Sequence, residues 1–525
     1  MEADRSPNAF LGHNRAILIG GAACVTLYLG LVLGLAITKL PGRDEAWFSS
    51  PGLALITNGT MTTPVLEHVA TWHHGLDRHT YWIPPLHFLV TAAWFKVFGF
   101  GIVTLRSLSA MWGLIALMAW FVFMARVTHS STVGFAATVL VSLDYFFLVS
   151  ASDGRMDMMC HALYATAMAL YVSLRESRLG HAVFWSQTLV VGAGLTHPNG
   201  LIGFACVAVL VIYYHDLSRL TVRHWLLAAT PYALGAAGWG FYILQDPHLF
   251  VSQFFGNARV AAAASGSVTN PWSSPLLALR AEVTRRYLPS FGLGPEMPLM
   301  NRFKGVILVA YALGWLGTLL MAIRRSTRPA ALLFSLTLTT FLVLTVSPSK
   351  YWYYLVHITP FLACCLALSA VRLAAAGRGR QLLALSALSV LLILEGSGVV
   401  YRIATNPMGR LYDLVVACVE RHSDSGDLVM GNASLLFRLW PTRRTLDDYN
   451  LGYYTGHQAA VIVVDGFDRA MQQGAQQRSP KVFAHVTRLL QNDFRLVCDF
   501  SDYQVYRRAQ SWRTELRSGA RPAGQ

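Results

Sequence analysis

The chain has 525 residues, of which 54% are hydrophobic and only 13% charged, and its mean hydropathy is +0.43. A soluble chain is normally about a quarter charged, so this composition excludes an ordinary soluble globular protein. The net charge of +15 does not mark a nucleic-acid binder. The basic residues are scattered through short loops between apolar blocks, with no basic face interleaved with aromatics, and so report membrane topology instead.

The first apolar block, Ala16–Thr38, runs 23 residues without a charge, more than the roughly 20 needed to cross a bilayer. It is too long for a signal-peptide core and has no clear small-residue cleavage site, so it reads as a retained anchor. Further blocks follow near 107–125, 132–150, 158–174, 182–196, 200–214, 225–244, 305–323, 330–347, 352–371 and 381–400. The expectation is a polytopic α-helical membrane protein of about eleven spans over residues 1–400, with long loops at 40–106 and 245–303.

The segment 83–99, IPPLHFLVTAAWFKVFG, decides the topology. If it lies on the membrane surface, one side collects Arg5, Arg15, Arg126, Arg175, Arg178, Arg219, Arg223, Arg324, Arg325, Arg328, Arg372, Arg378 and Arg380. The opposite short loops then hold only Arg155 and Lys350, the imbalance that the positive-inside rule demands. If it spans, the rule is broken at nearly every later loop. The segment therefore reads as an interfacial amphipathic helix carrying Lys96. The N-terminus is then cytoplasmic, and an odd number of spans puts the C-terminus outside. Both long loops and the tail share that outer face, periplasmic in a bacterial inner membrane, and loops of that length are usually functional.

The tail changes character. Met408–His422 reads as an amphipathic helix, and short β-type runs follow: DLVMG, AVIVVDGF, FRLVCDF and YQVYRR. Residues 401–510 read as a small α/β domain and 511–525 as a disordered end. Of the seven cysteines, Cys24, Cys160, Cys206, Cys364 and Cys365 sit in apolar blocks as small hydrophobes. Cys418 and Cys498 lie in the polar tail and can pair if it faces an oxidising compartment.

Four places carry residues suited to chemistry. PGRDEAW, six residues past the first span, holds Asp44 and Glu45. One can act as a base while the other is held by Arg43 or solvent; ordinary loop solvation is the plainer account. SASDGRMDMM sets Asp153, Arg155 and Asp157 at the outer end of a span. Such charges either snorkel to water or bind a metal or phosphate. THPNG is turn chemistry in which His197 could also ligate a metal or contact phosphate. SPSKYWYYLVHITP embeds Lys350 among Tyr351, Trp352, Tyr353 and Tyr354. Interfacial aromatics are belt residues, whereas a lone outer lysine suits a lipid-linked phosphate. Asp144, His161, His357 and Glu395, inside apolar blocks, read as structural pairs because buried charges need partners.

These four places, in this order, resemble the glycosyltransferase C superfamily, specifically the protein O-mannosyltransferase and lipid A aminoarabinose transferase family. The resemblance covers about residues 16–375. It includes PPLHFLVTAAWFKVFGFGIVTLRSLSAMWGL, similar to that family's P-P-L, W, F-G and R-L-S stretch, together with D-G-R-M-D and S-K-Y-W-Y-Y-L. It implies a carboxylate of the first outer loop at the catalytic centre, which falls on Asp44 with Glu45 beside it. It also implies active-site carboxylates in the next outer loop, at Asp153 or Asp157. One departure stands out. Aminoarabinose transferases carry Glu-Lys before the proline pair, whereas Trp82 and Ile83 stand here, so any phosphate or metal contact of that pair is missing.

The implied reaction is transfer of a sugar from a polyprenyl-phosphate lipid to a hydroxyl acceptor, with inversion. A lipid phosphate is a good leaving group, so the chemistry needs a base for the acceptor and cations for the departing phosphate. Asp44 offers the first; Lys350, Arg155 and Arg259 or Arg285 offer the second. A divalent metal is compatible with this scheme without being demanded by it. The rival readings are a transporter or lipid flippase, for which no inverted repeat is visible, and a non-catalytic membrane scaffold.

Overall fold

The computed structural model describes residues 7–66, 74–264, 274–295, 297, 299–347 and 349–509. The tail at 511–525 lies outside these residues, as do parts of the loops 40–106 and 245–303. The chain divides into two compact units, one of Met1–Ala36, Tyr81–His87 and Arg106–Ala404, the other of Ile37–Thr80, Phe88–Leu105 and Thr405–Gln525.

The first unit is helical. Among the described residues, five helices are long and apolar enough to cross a membrane: Arg15–Thr38, Ile102–Thr128, Asn301–Ile323, Arg328–Val346 and the start of Arg378–His422. A sixth candidate is Ser131–Leu143 with Tyr145–Ala151, bent by 66°. The bend has a cause in the sequence. Asp144 breaks the helix and caps its second half, with Oδ1 accepting from the Phe147 N–H at 2.8 Å. Tyr311 and Thr359 donate to the same carboxylate at 2.7 and 2.8 Å, so this buried acid is fully engaged. The other apolar blocks also fold as helices, namely Asp157–Leu174, Leu179–Thr196, Leu201–Tyr213, Val222–Ile243 and Thr359–Ala374.

Small residues let these helices approach closely, as packing in a membrane requires. A Cβ on Gly203 would sit 2.5 Å from Tyr164 Cβ, and one on Gly314 would sit 2.7 Å from the Leu366 backbone. On helix Val222–Ile243 the side chains of Val222, Trp225, Leu226, Leu234 and Phe241 are exposed, an apolar surface suited to lipid.

The second unit begins with helix Arg43–Asn58. Its start is capped by Glu45, whose Oε2 accepts the Gly42 N–H at 2.7 Å. It ends at Gly59, where a positive φ of 71° suits glycine. Helix Leu86–Phe98 has 13 residues, about 20 Å at 1.5 Å per residue, shorter than a roughly 30 Å hydrocarbon core. It meets the first helix at Gly52, where a Cβ would sit 3.1 Å from Ala92 N.

A five-stranded sheet completes this unit: β1 Leu428–Met430, β2 Arg444–Leu446, β3 Val461–Val464, β4 Phe494–Phe500 and β5 Tyr503–Arg508. The order is β2-β1-β3-β5-β4. β2, β1 and β3 run parallel, and β5 and β4 add antiparallel. Every residue of β3 is buried, as a continuous apolar run in a central strand should be. Helix Pro480–Arg488 covers the sheet through Val482 and Val486, which pack with Met430, Leu446, Ile462, Val464 and Phe494. The β-type runs coincide with β1, β3, β4 and β5; β2, Arg-Thr-Leu between polar residues, left no readable pattern. Cys418 and Cys498 form a disulfide between helix Asp413–His422 and β4.

Candidate active site

In the second unit, Asp44 and Glu45 occupy the first turn of helix Arg43–Asn58. Adjacent residues diverge on a helix, and here Glu45 is buried as the capping acceptor while Asp44 is half-buried. Three ion pairs of Arg43 run to the C-terminal segment. Its Nη1 meets Asp447 Oδ1 at 2.7 Å, and its Nη2 meets Asp465 Oδ1 at 2.9 Å and Asp468 Oδ1 at 2.7 Å. The start of helix Arg43–Asn58 is thereby tied to the C-terminal sheet. Trp47 Nε1 donates to Asp447 Oδ2 at 2.9 Å, and Asn432 Nδ2 donates to Asp465 Oδ2 at 2.7 Å.

One guanidinium cannot neutralise three carboxylates. Burial pushes Asp447 up to about 6, against the pull of Arg43 and Trp47. It pushes Asp468 up to about 7, with Asp465 and Asp447 adding to the effect and Arg43 opposing it. For Asp465 burial is outweighed by Arg43 and by the hydrogen bonds from Asp468 and Asn432, and its pKa lies below the ordinary value.

In the first unit, the structure brings Arg155, Asp157, His197 and Tyr353 together. Arg155 Nε donates to Asp157 Oδ2 at 2.9 Å, and its guanidinium lies over the Tyr353 ring at 3.7 Å. His197 ends helix Leu179–Thr196 and packs on Tyr354 with 5.3 Å between ring centres. Asp153 is half-buried, four residues before Asp157. His357 joins this group: its Nε2 lies 4.0 Å from Asp157 Oδ1. The ligand atoms of Asp157, His197 and His357 all lie within 4.8 Å of one another. The sequence reading assigned His357 a structural role within an apolar block. The signal for it was there: His357 follows Lys350 by seven residues in the same motif.

Lys350 is placed differently from a free phosphate-binding lysine. It is buried, paired with Glu282 at 2.9 Å, and donates to the carbonyls of Leu344 and Thr345 at 3.1 and 2.7 Å. Glu282 also binds Arg286, which donates to Ser349 O at 2.6 Å. Burial raises the Glu282 pKa and lowers that of Lys350, each opposed by the other's charge. Of the long-loop arginines, Arg259 and Arg285 are exposed, and it is Arg286 that is fully buried. Glu282 and Arg286 escaped the sequence reading because nothing local marks which face of their helix is inward. Cys418, His422 and Cys498 also converge, but the two thiols are spent on the disulfide.

These elements share their fold with solved membrane-protein structures. ArnT from Cupriavidus metallidurans, solved bound to undecaprenyl phosphate, matches with a TM-score of 0.57 and 15% identity, covering 94% of this chain and 98% of that one. The oligosaccharyltransferase of Archaeoglobus fulgidus matches in its apo form with a TM-score of 0.53 and 12% identity, covering 86% of this chain and 70% of that one. Its AglB complex with an inhibitory peptide and a dolichol-phosphate matches at 0.51 and 12% identity, over 93% and 74%. At such identities the likeness is one of fold. No protein-family model matches the chain, and no curated protein matches it in sequence.

Proposed function

We propose that this protein is an integral membrane glycosyltransferase that takes a sugar from a polyprenyl-phosphate lipid and passes it, with inversion, to a hydroxyl acceptor on the outer face. The observation that carries the reading is the shared fold along nearly the whole chain, with the carboxylates of the motif order set at helix starts. ArnT and AglB, both solved with a polyprenyl-type phosphate, supply the donor class. Asp44, at the start of its helix, is the base that takes the acceptor proton. Arg155, stacked on Tyr353 and bound to Asp157, is the cation nearest in type to a phosphate anchor, with Asp153 and His197 beside it in sequence and fold. Lys350 belongs to the ion-pair network that shapes this region.

The topology in this proposal has eleven spans, a cytoplasmic N-terminus and the tail outside. The Cys418–Cys498 disulfide supports that side for the tail, since disulfides persist in oxidising compartments. The absence of the Glu-Lys pair before Pro84 argues for an acceptor other than lipid A. The test incubates purified protein with a panel of polyprenyl-phosphate sugars and a membrane extract as acceptor source. Release of free polyprenyl phosphate with one donor is expected. No release from any donor, with folded protein, would overturn the proposal.

A further inference from the structure

We infer that Asp157, His197 and His357 form a binding site for one divalent transition-metal ion of the zinc class. The three come from separate elements of the first unit: the start of helix Asp157–Leu174, the end of helix Leu179–Thr196 and the end of the turn Trp352–His357. All three are buried, with 1%, 7% and 0% of their surface exposed.

The hydrogen-bond relay behind His357 accommodates the tautomer whose Nε2 faces the cluster as a lone pair. Trp120 Nε1–H donates to His161 Nε2 at 2.9 Å, so neutral His161 carries its proton on Nδ1 and donates it to the Tyr164 hydroxyl at 2.6 Å. Tyr164 in turn donates to the His357 carbonyl at 3.1 Å. Its oxygen is then an acceptor for His357 Nδ1, 3.3 Å away. In that tautomer His357 holds its proton on Nδ1 and points the bare lone pair of Nε2 at Asp157 Oδ1, 4.0 Å away. Neither Nε2 nor Oδ1 has a hydrogen-bond partner among the described residues. Two buried acceptors facing each other without a donor are costly, and a cation between them removes the cost.

The surroundings have the form of a metal site. Asp157 Oδ2 is held by Arg155 at 2.9 Å and His357 Nδ1 by Tyr164, the outer partners that orient metal ligands. His197 Nδ1 accepts the Asn199 N–H at 3.0 Å, and coordination through that nitrogen exchanges this one bond for the metal. Ligands at about 2.1 Å around a tetrahedral ion stand about 3.4 Å apart, so the 4.0 Å between His357 Nε2 and Asp157 Oδ1 and the limit of 4.8 Å on all three lie near that spacing. Two imidazoles and one carboxylate suit zinc, cobalt or iron over magnesium or calcium, and three protein ligands leave a position open. On the glycosyltransferase reading, that open position takes a phosphate oxygen of the donor.

The experiment uses the full chain in detergent, stripped with a chelator and then titrated with cobalt(II). About one ion per chain and the visible absorption of a four- or five-coordinate cobalt site are expected. Zinc should displace it and magnesium should not. His357→Gln and Asp157→Asn, checked for folding by circular dichroism, should each lower bound cobalt to below about a tenth of an equivalent. A wild-type chain that binds no cobalt overturns the inference, as does a folded His357→Gln protein with an unchanged spectrum. Because the readout is metal content and not sugar transfer, its failure and that of the enzymatic proposal are separable.

Discussion

Asp44 and Glu45 are neighbours in sequence with different work to do. Glu45 is buried as the acceptor for the Gly42 N–H, a bond that a Gln amide oxygen can also accept, so Glu45→Gln should cost less than about 1 kcal/mol of local stability and leave turnover within a few-fold. Asp44→Asn keeps size and hydrogen bonding but cannot take a proton. It should lose about two to four orders of magnitude in turnover while donor binding and folding remain. The reversed ranking in a transfer assay would exchange their roles. Lys350 is a similar case at the level of a single side chain. Its partners are Glu282 and two backbone carbonyls, so Lys350→Met leaves a buried carboxylate with Arg286 alone. Removing one member of a buried pair costs roughly 3–5 kcal/mol, and thermal melting in detergent should show that loss. Adding Glu282→Gln should cost further stability, because it leaves the buried Arg286 without its carboxylate. A Lys350→Met protein that melts normally but binds donor poorly would instead make the lysine a direct phosphate ligand.

The sheet that receives Arg43 is an element whose stability depends on pH in a direction set by its surplus carboxylates. Asp447 and Asp468 have pKa values raised to about 6 and about 7 in the fold, against an ordinary aspartate value of 3.8. Between these values the folded state binds more protons than the unfolded one, so stability falls as pH rises from about 4 to about 7. Asp465, with its lowered pKa, acts oppositely and only at more acidic pH. Asp468→Asn should therefore raise the melting midpoint at pH 8 and flatten the slope between pH 5 and 7. A variant that keeps the wild-type slope would mean that Asp468 is ionised throughout. The disulfide adds a separate constraint. It closes a separation of 80 residues, for which chain entropy gives roughly 4 kcal/mol, so a Cys418→Ser, Cys498→Ser chain should release its tail to proteolysis at lower temperature.

At the scale of the whole molecule, the helical membrane architecture was legible because span length and charge asymmetry are local properties of a sequence. Asp144 shows where that legibility ends: it reads as one polar residue in an apolar block, yet it bends a helix by capping it. Arg43 shows a second limit. Its ion pairs lie 404 to 425 positions away, and nothing in PGRDEAW announces partners at that separation. His357 and Glu282 are of the same kind, being placed by packing and not by motif. Sidedness, in contrast, rests on the sequence rule and on the tail disulfide, and one helix allows it to be tested cleanly. Arg325 precedes and Ser347 follows helix Arg328–Val346, whose 19 residues give about 28 Å between its ends. The native cysteines interfere little: Cys160, Cys206, Cys364 and Cys365 are buried, and Cys418 and Cys498 are bonded to each other. With Cys24 replaced by alanine, Ser347→Cys in intact cells should react with an impermeant thiol reagent. Arg325→Cys should react only after the membrane is opened. If helix Leu86–Phe98 crossed the membrane, every later loop would change sides and the labelling would reverse. The reversed result would put the Lys350 motif in the cytoplasm and remove the outer-face site from the proposal; the expected one would leave Arg155 and Lys350 as the basic residues of short outer loops otherwise free of them.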